Sequence, residues 1–170
     1  MSALGTRQIA VIGPATAATL AHYGLQVALQ PDEYIAESIF ESLVQKGAVS
    51  GKHFLLLRAD IARITLRQQL ESAGAVVDEI PVYRTIRGEP DPTAYAQLRS
   101  GVDIITFTSS STVRFFFELL GAEADKIAAD VLIACIGPIT AQTARSFGLN
   151  VGIVADEYTV SGLMAALAEG

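Results

Sequence analysis

The chain has 170 residues, 51% hydrophobic and 18% charged, with 12 Lys and Arg against 18 Asp and Glu for a formal charge of −6. Its mean hydropathy of +0.40 comes from short apolar blocks, none near the ~18 uninterrupted residues that span a bilayer, and their burial offsets the entropy of ordering, which excludes disorder. A single cysteine, Cys135, excludes an intrachain disulfide or thiolate metal cluster, and without a cationic run nucleic acid is not an expected partner.

No basic stretch followed by an apolar run opens the sequence, so a secretory leader is not expected. The expectation is a soluble, cytoplasmic α/β protein of one domain or two small ones.

In chain order, the apolar runs predict strands at Ile9–Ile12, Val27–Leu29, His53–Leu57, Val76–Ile80, Asp103–Phe107, Leu132–Ile136 and Val151–Val154. Helical spacing predicts helices at Ala15–His22, Ile35–Gln45, Ile61–Ser72, Ser111–Leu120, Ile139–Ser146 and Val160–Ala168. Strand–helix alternation reads as parallel sheet with helices on both faces, and continuously apolar strands fit burial on both sides. Gly24, Gly74 and Gly148 follow helical runs as C-terminal caps do. The Gly/Pro-rich, charged stretch Arg87–Pro92 is the best internal boundary.

The chain also repeats itself. A shift of 124 residues aligns Ile12–Tyr34 with Ile136–Tyr158 without a gap, and 12 of the 23 positions are identical. Two copies of one strand–turn–helix–strand unit imply two similar α/β halves.

The repeated turn reads Gly13-Pro14-Ala15-Thr16 and Gly137-Pro138-Ile139-Thr140. Glycine permits the tight turn, proline suits the first helical position, and threonine sits beside free N–H groups at the positive end of the helix dipole. An ordinary helix start explains one copy; retention in both favours an anion-binding role in the crevice at the strands' carboxyl ends. Thr108, Ser109, Ser110 and Ser111 follow a strand. They can cap the next helix or face the same crevice. Arg58, Asp60 and Arg63 follow the third strand. They are either contacts to a carboxylate ligand or a solvated helix start with Asp60 as its cap. Tyr83 follows the fourth strand; spacing alone favours a packing residue. Cys135 reads as core. No metal spacing, Walker loop or dinucleotide fingerprint is present, so no metal or cofactor is expected.

Five motifs together resemble the uroporphyrinogen-III synthase family: Ala10–Ala17, Leu57–Arg63, Pro81–Thr85, Phe107–Val113 and Ile136–Ala141. The resemblance implies a cytoplasmic, cofactor-free lyase that closes the linear tetrapyrrole hydroxymethylbilane to uroporphyrinogen III, losing water and inverting the last ring. It implies two flavodoxin-like domains with the polycarboxylate substrate between them. Residues 1–82 would belong to the middle domain, 83–92 would connect, and 93–170 would form the C-terminal part of the first domain. By motif, Tyr83 matches the residue suspected of assisting departure of the hydroxyl, Thr16 and Thr140 match the paired turns, and Ser109 and Ser111 match the serine motif. The resemblance implies a monomer; measured against the family's length, an N-terminal portion would be absent from this sequence, which would leave each domain incomplete and open the way to a dimer. The alternative is a non-catalytic anion-binding or interaction module of the same fold.

Overall fold

The computed structural model describes residues 4–169. They form two compact units, one ending at Thr85 and the other beginning at Ile86. Both are mixtures of helices and parallel strands.

Unit 1 contains α1 (Pro14–His22), α2 (Ala36–Gln45), β1 (His53–Ala59), α3 (Thr65–Ser72) and β2 (Val76–Tyr83). β1 and β2 pair in parallel from His53 opposite Val76 onward. Successive side chains alternate between faces. Phe54, Leu56 and Val77 pack with Ile39, Leu66 and Leu70 of α2 and α3. The other face carries Leu55, Leu57, Val76 and Ile80, each at least half exposed. Burial on both sides, expected from continuous hydrophobicity, is therefore wrong for this sheet, because within the unit helices cover one face only.

Two expected strands also shrink. Ile9–Ile12 and Val27–Leu29 meet at a single parallel bridge between Ala10 and Leu29, with Val11 N–H donating to Leu29 at 3.0 Å and Ala28 N–H to Ile9 at 2.8 Å. Pro14 and Pro31 follow closely, and neither has an N–H to extend a ladder. The third helix begins at Thr65 rather than Ile61. Asp60 is consequently not its cap: its carboxylate accepts from Thr85 N–H at 3.0 Å, while Ala62 N–H turns back to Ala59.

Unit 2 contains α4 (Pro92–Ser100), β3 (Ile104–Phe107), α5 (Ser110–Leu120), α6 (Ala124–Ala128), β4 (Leu132–Cys135), α7 (Pro138–Ser146), β5 (Val151–Val154) and α8 (Val160–Glu169). Helices α4 and α6 fall outside the elements that apolar spacing predicts. The start of α4 is nevertheless legible: Asp91 accepts from Thr93 and Ala94 N–H, with Pro92 at the first position. The sheet order is β3-β4-β5, all parallel. Here burial on both sides holds only around the end of β4, since Ile104, Thr106 and Leu132 on the Ala134 face are exposed. Ile133 and Cys135 of β4 pack with Val113, Ala141 and Ala144 of α5 and α7. Ala134 points the other way, towards Leu163 of α8.

The sequence repeat is also a structural repeat. Thr19 Oγ1 donates to Ala15 O and Thr143 Oγ1 to Ile139 O, both at 3.0 Å. Both helices end at a glycine of positive φ, Gly24 at 70° and Gly148 at 88°, where a side chain would be strained. The following leucines close each turn, Leu25 N–H to Leu20 and Leu149 N–H to Ala144. Surroundings differ sharply, however: α1 buries no residue, whereas α7 buries Thr140, Ala141 and Ala144.

Candidate functional site

In unit 2, adjacent parallel strands bring two motifs together. β3 and β4 pair through Phe107 and Cys135, so the turns that follow them are neighbours. Ser109 caps α5, accepting from Thr112 N–H at 3.2 Å, while Thr112 Oγ1 accepts from Ser109 N–H at 3.3 Å. Ser111 shares a 2.9 Å hydroxyl contact with Ser109. Ser110 faces α7: its hydroxyl shares a 2.8 Å contact with Thr143 Oγ1 and reaches Ile139 O at 3.5 Å. The serines therefore combine capping with a tie between the two turns. Thr108 is exposed.

Gly137 is the N-cap of α7, and no side chain caps that helix. Its N-terminal N–H groups stand beside the Ser109–Ser111 turn, and the two helix starts lend this edge a positive field. Thr140 is buried at 5% exposure. In the other copy, Gly13 likewise starts α1 uncapped, but Thr16 is exposed.

In unit 1, a cleft is lined by Asp60, Pro81, Val82, Tyr83 and Arg84. Tyr83 is 61% exposed, so the packing reading of this side chain does not describe it. Gly13 and Thr16 do not line this cleft.

Arg58 and Arg63 are already engaged. Arg58 Nε and Nη2 both donate to Glu79 Oε1, and Nη1 donates to Arg63 O at 2.9 Å. Only 14% of the Arg58 side chain is exposed. Arg63 forms a two-pronged pair with Glu37, both bonds 2.9 Å, and this guanidinium holds the Glu37 carboxyl below its ordinary value. These arginines tie β1 to β2 and the segment before α3 to α2. Nothing in the local sequence signals their partners, because Glu37 and Glu79 lie 26 and 21 residues away.

Cys135 is fully buried, and burial pushes its thiol up to about 11. Among the described residues, no group of three or more His, Cys, Asp or Glu side chains could hold a metal. None of the described helices is long and apolar enough to cross a membrane. Sequence reasoning missed Asp60 as a holder of the Tyr83 strand end, and Tyr158 as the side chain against Gly137. Identity of Tyr34 and Tyr158 in the repeat was the available signal for the latter.

A family model described as uroporphyrinogen-III synthase HemD matches residues 1–165. A uroporphyrinogen-III synthase from Synechococcus elongatus is 38% identical over 166 residues, covering 94% of this chain and 62% of the relative. The crystal structure of the Helicobacter pylori enzyme aligns with a TM-score of 0.63 at 20% identity, over 91% of this chain and 65% of that one. A mutant synthase from Thermus thermophilus gives 0.57 at 21% identity, over 94% and 64%. The two structural likenesses speak for the fold. The chain spans less than two thirds of the length of the curated relatives it matches.

Proposed function

The chain belongs to the uroporphyrinogen-III synthase family, and from that premise we propose that it carries substrate-binding and catalytic residues of a lyase that converts hydroxymethylbilane to uroporphyrinogen III. The observation that carries this reading is the family match across residues 1–165. Each unit is then read as a flavodoxin-like domain, and the protein as cytoplasmic.

In this reading the N–H groups at the start of α1 in unit 1, and those at the start of α7 in unit 2, each suit a carboxylate, with Gly13 and Thr16 shaping the first turn and Gly137 and Thr140 the second. Thr108 and the serines Ser109, Ser110 and Ser111 contribute hydroxyls. Arg58 and Arg63, their charge compensated by Glu79 and Glu37, brace unit 1 rather than offer a free cation to the substrate. Tyr83 donates its phenolic proton as the C–O bond of the hydroxymethyl group breaks, so that hydroxide leaves as water. The electrophile so formed is then closed in the orientation that inverts the last ring, and exclusion of bulk water prevents its capture. The chemistry is that of positioning and hydrogen bonding, without a cofactor.

A coupled assay tests this: hydroxymethylbilane is generated in place and the uroporphyrinogen isomers are separated after oxidation. Isomer III above the uncatalysed background supports the synthase, and Tyr83→Phe should lower it at least tenfold. Isomer I alone from folded protein, with retention of carboxylated tetrapyrrole, supports the non-catalytic binding module instead.

A further inference from the structure

β2 is not regular to its end. Arg58 pairs with Pro81, but Ala59 pairs with Tyr83, which leaves Val82 as an extra residue. Paired residues in a sheet share a face, and a slip of one residue turns every later side chain over. In unbroken register Ala59 would oppose Val82, and Tyr83 would fall on the side of Arg58, Glu79 and Pro81. With the bulge, Tyr83 joins Ala59, Leu57 and Leu55 on the open face.

A bulge weakens the ladder where it occurs, so the strand end needs another hold. Asp60 provides two. Its N–H donates to Tyr83 O at 3.1 Å, and its carboxylate Oδ1 accepts from Thr85 N–H at 3.0 Å. These bonds bracket Tyr83 and Arg84, both of which line the cleft with Asp60 itself. Thr85 is also the last residue of its compact unit. The side chain of one residue thereby fixes the chain just where it leaves the unit.

We propose that Asp60 is a positioning residue which, with the bulge at Val82, aims the Tyr83 phenol into the cleft. The proposal rests on the assignment of Tyr83 above for its catalytic consequence, but its structural part is independent of turnover. Carboxylate and amide differ usefully here: Asn at position 60 keeps the acceptor oxygen that Thr85 N–H requires, and Ala removes it.

Three variants test it: Asp60→Ala, Asp60→Asn and deletion of Val82. Amide hydrogen exchange at Thr85 should accelerate at least tenfold in Asp60→Ala, stay within about twofold in Asp60→Asn, and leave Val76–Ile80 unchanged. Nitration of Tyr83 by tetranitromethane, followed by peptide mass spectrometry against exposed Tyr23, should fall at least fivefold on deletion of Val82. In the isomer III assay Asp60→Ala should lower kcat about tenfold at unchanged KM, and should cost less than twofold when added to Tyr83→Phe. Unchanged Thr85 exchange in Asp60→Ala overturns the proposal. So does an equal loss with and without the Tyr83 hydroxyl, which marks a role that does not pass through it. If the deletion variant does not fold, the Asp60 pair decides alone. If the unmodified protein makes no isomer III, the functional reading fails while exchange and nitration still decide the positioning claim.

Discussion

Tyr158 lies so close to Gly137 that a methyl group built on the glycine would stand 3.1 Å from Cδ1 of the ring. The equivalent position in the other copy of the repeat, Gly13, has open space around it. Identical turns thus meet different neighbours. Gly137→Ala should press on Tyr158 and destabilise the protein by about 1 kcal/mol, whereas Gly13→Ala should change stability by less than about 0.5 kcal/mol. Urea unfolding of both variants checks the contrast, and equal effects would show that Tyr158 yields freely.

Ser109 closes the capping box of α5 with Thr112. Ser109→Ala should cost about 1 kcal/mol, and Ser109→Asp should restore most of it, because a carboxylate also accepts the Thr112 N–H and suits a helix start. The comparison is made by thermal and urea denaturation. Full stability in the alanine variant would mean that Ser111 or water replaces the cap.

The Arg58–Glu79 pair is largely shielded, with side chains 14% and 21% exposed. Arg58→Gln should therefore destabilise the fold by about 2 kcal/mol, since it leaves a carboxylate partly buried and short of donors. Adding Glu79→Gln should recover part of the loss. A double-mutant cycle in urea reads this directly; a purely ligand-binding arginine would show no such coupling.

Arg63 holds the Glu37 carboxyl below its ordinary value. A carboxyl whose folded value is depressed adds stability that is present above its unfolded value and disappears as pH falls through the folded one. Glu37→Gln should thus reduce stability at pH 7 and leave it unchanged near pH 2. Because the pair is partly exposed, the difference should be at most about 0.5 kcal/mol and shrink in salt. Urea midpoints at both pH values provide the measurement.

Cys135 should resist a thiol reagent such as dithiobisnitrobenzoate in the folded protein at pH 8, because it is buried and its thiol is shifted to about 11. Unfolding in urea should release one reactive thiol per chain. Rapid labelling without denaturant would show that unit 2 opens readily.

Local sequence determined the starts and stops of most helices, the repeat and the parallel α/β class, because these depend on neighbours within one or two turns. Gly-Pro at the starts of α1 and α7, Asp91-Pro92 at α4, and the glycines at 24 and 148 all act through their own backbone. The motifs of the candidate site were equally legible, since each is a contiguous run.

Only tertiary structure decided what those runs do. Thr16 and Thr140 are the same residue in the same turn, yet one is exposed and the other buried, because packing around a helix comes from segments far away in the chain. Arg58 and Arg63 read as free cations until strand register and helix placement set Glu79 and Glu37 beside them. The bulge at Val82 and the grip of Asp60 on Tyr83 and Thr85 leave no mark in composition or periodicity. Those contacts join residues more than 20 positions apart, and a pattern of neighbours carries no information about which distant backbone will arrive to meet them.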